Sequence, residues 1–464
     1  MHLIWHRTEL RTHDNPALTA ALERAASDRS GVLPIVIIDP KIFGRPDLTP
    51  RRQAWFLENT RALRESYRTL GSDLVAREGE PAKVLAQLAR ELKGTWHEIR
   101  SVHFIRNYTP YAKERDAAAR AALEQLGIEV CSYGGQYTHE PGEVLTQSGT
   151  RYTVHGPFIK TWRALEKPLI LPGPKAVPAL PSAVSVGKIP RVLSDIELPP
   201  TGEENAQRRL AWFLENGEGE YQKVRQFPHL ENKTSKLSYY FNIGVLSPRL
   251  AYSKATTYKW KFELSWWDFF ADLLDHNPES VNQEAVAAWR KFPWRNDAAE
   301  FEKWKTGQTG FPLIDAGMRE LNATGFMHNR ARMATAGFLS RHLMIDWRLG
   351  EEYFRGQLLC GDRAQNVGNW QWVAGCGLSA KAYFRVGNPV SLARTADRGG
   401  EYIRRWVSEL APLPAAAIHE PWLNSPTPEN YAAPMVNLKE TRARYLETVK
   451  AHLANVKSIK SCES

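Results

Sequence analysis

The sequence predicts an N-terminal α/β domain on a five-stranded, parallel, doubly wound sheet, a long proline-rich connector, and then an all-helical domain. Three observations carry this. Short apolar runs alternate with longer helical patterns through the first third, prolines crowd residues 168–200, and strand-like runs are scarce after Thr201. At 464 residues the chain exceeds one typical core. The expected boundaries are 1–135 for the α/β domain, 136–200 for the connector and 201–464 for the helical domain.

Taken in order, Leu3–Trp5, Val32–Ile38, Leu74–Ala76, Val102–Ile105 and Ile128–Ser132 read as strands. Segments near 15–26, 51–70, 81–93 and 110–126 read as the helices between them, joined by right-handed crossovers. No GxGxxG follows any strand, so the usual dinucleotide fingerprint is absent. Eight prolines between Pro168 and Pro200 rule out a helix there, and the stretch is too long for an ordinary loop.

Composition excludes several classes. Hydrophobic residues make up 43% and charged residues 24%, which are globular values. No run is apolar enough to span a bilayer, and the charged start is unlike a secretory signal, so a cytoplasmic protein is expected. Cys131, Cys360, Cys376 and Cys462 form no CxxC pair, and no metal site is expected. The net charge of +10 favours a polyanionic partner. Eleven of the 16 tryptophans follow residue 259, which suits a large aromatic core, an aromatic-lined cavity or an electron path.

The stretch Phe326–Trp372 is the most informative. Arg332, Ala336, Leu339, Leu343 and Trp347 recur at spacings of three and four, as on one helix face. Asn329, Arg332 and Met333 share that face. Asp362, Asn366 and Trp370 share another, and Trp372 points elsewhere. Polar groups on a buried stripe are costly unless something polar lies against them.

Lys233-Thr234-Ser235-Lys236-Leu237-Ser238 suits a phosphate at a helix start, although a plain Ser/Thr cap is the commoner meaning. Trp260, Glu263 and Trp267 share a helical face with Trp266 on its shoulder. Glu263 is then either a surface residue or a carboxyl whose pKa aromatic neighbours raise. Arg319, Arg330, Arg332, Arg341 and Arg348 could track phosphates or form a solvated, salt-bridged face. His13, His139, His155 and His342 lack metal spacing and read as structural.

The residues then show a family resemblance. Trp5-His6-Arg7-Thr8-Glu9-Leu10-Arg11 opens a series that continues through Thr234-Ser235-Lys236-Leu237-Ser238 and Thr309-Gly310-Phe311-Pro312-Leu313-Ile314-Asp315. Met327-His328-Asn329-Arg330, Trp370-Gln371-Trp372, Tyr383-Phe384-Arg385 and Ile418-His419-Glu420-Pro421-Trp422 complete it. In this order and spacing the chain resembles the DNA photolyase/cryptochrome flavoproteins, most of all the bacterial class I cyclobutane pyrimidine dimer photolyases, over nearly its full length.

The resemblance implies an antenna-type α/β domain and a helical FAD- and DNA-binding domain. Tyr221, Thr234, Ser235, Leu237 and Ser238 match contacts to the flavin's phosphates and ribityl chain. Trp260, Arg332, Asp362 and Asn366 match positions around the flavin. Glu263, Trp266, Asn329, Arg330, Met333 and Trp372 match the pocket for a flipped-out dimer, and Arg225 is assigned to DNA. Trp294, Trp347 and Trp370 fall on the family's electron-carrying chain. The implied reaction is light-driven electron transfer from excited reduced FAD to the dimer, with Glu263 stabilising the electron-rich dimer and Asn329 positioning it. Photolyases are among the base-flipping enzymes. The implied partner is UV-damaged DNA, the expected state a monomer, and the rivals are a blue-light photoreceptor and a flavoprotein that has lost catalysis.

Some positions depart from the family pattern. Cys360 stands where an Asp usually pairs with the Arg at position 332, so Arg332 is expected to lack its counter-ion. Trp267 replaces an Arg, Ser379 an Asp, Gly387 an aromatic and Asn369 a Gly. Arg106-Asn107-Tyr108-Thr109-Pro110-Tyr111 lies where the antenna pocket forms, without the folate binders' Glu at position 109. This leaves a flavin or deazaflavin antenna, or none.

Overall fold

The computed structural model describes residues 1–378, 385–423, 428 and 430–462, with side chains as far as residue 456. Contacts group the chain into two compact units, Met1–Gly219 with Ser235–Pro278, and Glu220–Thr234 with Glu279–Ser464. This partition differs from the composition boundary at 200/201, because residues 201–219 and 235–278 group with the α/β residues.

In the first unit, β1 (His2–His6), β2 (Val32–Ile38), β3 (Val75–Glu78), β4 (Ser101–Ile105) and β5 (Glu129–Tyr133) form one sheet in the order β3-β2-β1-β4-β5. Every pairing is parallel, with His2 opposite both Val32 and Ser101. Helices α1 (Pro16–Ser27), α2 (Pro50–Thr69), α3 (Pro81–Leu92) and α4 (Pro110–Glu124) each begin on a proline, whose missing N–H costs nothing in a first turn. All nine expected elements are present within two residues of their sequence boundaries. β1 and β2 are buried throughout, as a sheet covered on both faces requires.

Residues 165–200 carry no helix or strand, but α5 (His155–Ala164) lies inside the stretch read as connector. Three arginines of α2 hold the extended chain. Arg51 pairs with Asp195 at 2.5 Å, Arg61 donates to Ile189 O, and Arg64 donates to Val186 O at 3.0 Å. Ala76 N–H also donates to Val186 O at 2.8 Å. The prolines deny this segment its own ladder, and guanidinium donors take its carbonyls instead.

Helices α6 (Glu203–Asn216) and α7 (Tyr258–His276) belong to this unit, and buried polar contacts tie the α/β residues to the segment between them. Asp14, fully buried, pairs with Arg249 at 2.5 Å, and Arg11 donates to Gly244 O at 2.9 Å. Gly244 has φ +62°, and a Cβ there would lie 2.1 Å from Thr8 O, so only glycine fits.

Asp268 on α7 accepts from Thr138 N, His139 N and Trp162 Nε1. Burial pushes its carboxyl up to about 7 despite those donors. The native state therefore holds a proton that the unfolded chain releases above pH 4, and this group's contribution to stability falls as pH rises from 4 to 7. Asp268→Asn carries no such proton. Its unfolding free energy should rise relative to the parent's by up to about 4 kcal/mol across that window. Parallel pH profiles in chemical unfolding would refute this.

The second unit is helical. Its centre is α8 (Pro312–Thr324), started by a local lock in which buried Asp315 accepts from Thr309 N at 2.7 Å, Gly310 N at 3.0 Å and Tyr431 Oη at 2.7 Å. Against it packs α9 (Asn329–Gly337), which also meets α11 (Arg363–Ala374); α10 (Trp347–Gln357) packs on α11, and α12 (Leu438–Cys462) closes the chain.

The periodic stripe from Arg332 to Trp347 is not one helix. After α9 the chain makes a π-helical turn over Phe338–Leu343, Met344 takes φ 55°, and Asp346 caps a new helix at Trp347. Period-3.6 spacing cannot reveal an inserted wide turn. Among the described residues no helix is long and apolar enough to cross a membrane.

Candidate cofactor and substrate site

In the second unit α9 and α11 face a cavity. His328 caps α9, accepting from Arg330 N, and Asp362 caps α11, accepting from Gln365 N at 2.9 Å. These caps fix where each helix starts and so which residues reach the cavity. Asn329, Arg332, Met333, Asn366 and Trp370 line it, as their spacing predicts, and so does Cys360. Arg330 is close by, with Nη1 3.7 Å from Met333 Sδ.

Arg332 donates through Nε to Met327 O at 2.8 Å and through Nη2 to Cys360 Sγ at 3.2 Å. The expected loss of a counter-ion is only half the account. No carboxylate among the described residues pairs with Arg332, but the thiol holds the guanidinium in place.

Asn366 is positioned from behind. Its Nδ2 donates to Glu351 O at 2.9 Å and Glu351 Oε1 at 3.0 Å, leaving Oδ1 as the acceptor for the cavity. Glu351 is buried and is held by Arg355 at 3.0 Å and Arg363 at 3.2 Å. Sequence reading missed Glu351. The i,i+4 pair with Arg355 was visible, but its engagement of Asn366 depends on how α10 packs on α11.

The three tryptophans differ in burial. Trp370 and Trp347 are buried, whereas Trp294 is half-buried. Trp370 packs edge-on to Phe354 at 5.0 Å and to Trp304 at 6.2 Å. Trp347 donates to Glu284 at 3.3 Å, and Trp294 contacts Phe292 at 4.7 Å. Trp372 sits half-buried on α11, one residue off the cavity face.

In the first unit α7 carries the other candidates. Glu218 accepts from Thr256 N and Thr257 N and so fixes the start of the helix. Trp260 is buried against Phe213 at 5.0 Å. Glu263 is not enclosed by aromatics alone, because Lys259 Nζ lies 2.7 Å from its carboxylate. Trp267, at the departure from Arg, is buried beside Phe241 and belongs to the core.

Trp266 stacks face to face on His155, with centroids 3.6 Å apart and planes 7° from parallel. Ser265 Oγ donates to Phe262 O, so it can only accept from His155 Nε2 at 2.9 Å, which selects the Nε2–H tautomer. Burial, with Lys259 adding to it, drives the imidazole down to about 3, so the ring is neutral. The sequence alone reads His155 as structural. Its role as the floor of Trp266 could not be seen in sequence, because the two residues are 111 positions apart.

Ser235, Leu237 and Ser238 form a fixed turn into the short helix Ser238–Asn242. Leu237 is fully buried, Lys236 has φ 51°, and Arg209 holds Ser235 O at 2.9 Å. Tyr221 begins the short helix Tyr221–Val224, Arg225 caps its end, and Thr234 closes that segment of the second unit.

The antenna candidates lie past the carboxyl end of β4, beside β1, where strand order reverses, the usual ligand edge of such a sheet. Tyr108 donates to Glu140 at 2.6 Å, Arg106 donates to Tyr108 Oη at 3.2 Å, and Tyr111 donates to Asp39.

Of the arginine cluster, three members serve the fold. Arg319 pairs with Glu409, Arg348 with Glu284, and Arg341 donates to Val373 O. His229, Asp397 and Glu401 bring ligand-type atoms within 4.8 Å of one another, but both Asp397 oxygens accept backbone amides, of Tyr402 and Ile403, in the first turn of the helix Glu401–Trp406. Ser379, Tyr383 and Phe384 lie outside the described residues.

A doubly wound α/β unit, and a helical unit whose cavity joins an oriented amide, a guanidinium and a buried tryptophan, agree with the two-part flavoprotein that the resemblance implies. Residues 2–181 match the family described as DNA photolyase, and residues 260–451 match the FAD binding domain of DNA photolyase. A deoxyribodipyrimidine photo-lyase of Thermus thermophilus is 40% identical over 450 residues, 96% of this chain and 97% of that protein. Among solved structures, a class III photolyase from Agrobacterium tumefaciens superposes with a TM-score of 0.87 at 31% identity, covering 97% of each chain. An archaeal photolyase from Sulfolobus tokodaii with two FAD molecules gives 0.83 at 28% identity, covering 98% of this chain and 100% of that one. The chain belongs to the DNA photolyase family.

Proposed function

We propose that this protein repairs cyclobutane pyrimidine dimers in DNA with blue light, using FAD. The observation that carries the reading is the Asn366 amide, turned by buried Glu351 so that Oδ1 serves the cavity beside Arg332. An acceptor held there suits a flavin ring that carries an N–H, the reduced form. Bound FAD supplies the light-driven one-electron chemistry.

The chain's residues do the rest. Tyr221, Thr234, Ser235, Leu237 and Ser238 hold the phosphates and ribityl chain, and Trp260, Arg332, Asp362 and Asn366 hold the ring. Glu263, Trp266, Asn329, Arg330, Met333 and Trp372 receive the dimer, with Arg225 on the DNA backbone. Trp370, Trp347 and Trp294 carry electrons to oxidised flavin. The formal charge of +10 supports binding to a polyanion. Residues 1–135 form the antenna-type domain, which takes a flavin or deazaflavin as second chromophore or none, and residues 201–464 the helical FAD- and DNA-binding domain. The protein works as a cytoplasmic monomer.

The test is blue-light repair of a defined thymine dimer in an oligonucleotide by the prereduced protein, with a dark control. Intact thymines that return only in light support the reading. Bound flavin without repair would transfer the protein to the photoreceptors or to flavoproteins that have lost catalysis.

Replacing Cys360 tests the departure beside Arg332. Cys360→Asp puts a carboxylate where the thiol now meets the guanidinium, and negative charge near the ring disfavours its gaining electrons. The flavin midpoint potential should fall by about 30 mV or more. Identical spectra at every stage of a reductive titration would show that the thiol is irrelevant.

A further inference from the structure

We propose that Lys259 is the positioning cation of the dimer pocket, holding the Glu263 carboxylate as an ion pair. This rests on the reading of Glu263 as a dimer contact. Lys259 Nζ is 2.7 Å from Glu263 Oε1 and 4.1 Å above the centroid of Phe262. The two charged side chains are only 21% and 24% exposed, so this is not an open surface pair. Phe262 in turn meets His155 edge-on at 4.9 Å and Trp266 at 6.3 Å. The lysine is thus built into the aromatic wall that carries Trp266.

Lys261 sits over Tyr252 at 4.9 Å and Arg163 over Tyr258 at 4.7 Å. Trp267, one turn beyond Glu263, brings no charge.

An unpaired carboxylate on this wall would oppose the reaction twice. It would repel DNA phosphates, and it would repel a base that has just received an electron. With Lys259 in contact, the pair is neutral overall and one carboxylate oxygen is held. Lys259 acts through Glu263 and exchanges no proton or electron in this role.

The experiment is a double-mutant cycle on the FAD-loaded enzyme. Repair yield per absorbed photon from prereduced protein is measured for Lys259→Met, Lys259→Arg, Glu263→Gln and the Lys259→Met/Glu263→Gln double variant. Flavin content and dark binding of dimer-containing DNA are recorded alongside. Lys259→Met should lower the yield about fivefold, with flavin content kept and Lys259→Arg restoring most of the yield. The double variant should repair no worse than Glu263→Gln, because the lysine has no partner left to position.

Losses that multiply in the double variant, or a Lys259→Met protein with full yield beside an impaired Glu263→Gln, overturn the inference alone. Full yield from Glu263→Gln overturns the placement of Glu263 at the dimer, and the inference with it.

Discussion

Gly350→Ala should unfold the second unit at markedly lower denaturant and slow the photoreduction of oxidised flavin. Gly350 lies in the interior of α10, where glycine is otherwise a poor choice. The reason for it is contact. A Cβ at this position would stand 2.3 Å from Trp370 Cη2, 2.5 Å from Leu339 Cδ2 and 2.7 Å from Trp370 Cζ3. None of these atoms has room to retreat, since Trp370 is 2% exposed and is already boxed by Phe354 and Trp304. One methyl group therefore forces an indole out of its rotamer or pushes α10 off α11.

Overpacking of this kind costs about 1–3 kcal/mol and sometimes more, and the rigid neighbours place this site at the upper end. Moving α10 also moves Glu351, and with it the grip on Asn366. The loss of stability and the slower photoreduction should therefore appear together. A variant with parental stability and parental photoreduction would show that the helix contact is softer than these distances imply.

The second large effect is expected at Glu263. Truncation to alanine removes the carboxylate that would hydrogen-bond the dimer and leaves Lys259 without its partner on an aromatic wall. Hydrogen bonds to charged groups contribute about 1.5–3 kcal/mol, so the repair yield from prereduced protein should fall about tenfold or more. Flavin content should change little. Glu263 is half-buried on α7, whereas Trp260 on the same helix is buried in the unit's packing. An unchanged yield would remove Glu263 from the mechanism, and a lost flavin would make it a cofactor ligand.

Much of this was legible in the chain because it is local. A proline at the first turn marks α1, α2, α3 and α4, and short continuous apolar runs mark the strands between them, so the elements of the doubly wound sheet needed no tertiary information. Asp362, Asn366 and Trp370 fall on one helix because a cap and two i,i+4 steps say so, and α11 has that form. The Lys259–Glu263 spacing was equally readable, but i,i+4 ion pairs are common, and only its burial against Phe262 sets it apart.

What the sequence by itself determined is therefore the set of short-range elements and, through the family resemblance, the kind of cofactor and reaction. Tertiary structure alone decided the rest. It broke the Arg332–Trp347 stripe with a π turn, because helix periodicity cannot register one wide turn. It placed Cys360 against Arg332, Glu351 behind Asn366 and His155 beneath Trp266, pairs separated by 28, 15 and 111 residues. Such contacts depend on how helices pack against one another, and propensity and spacing hold no information about that beyond a few turns.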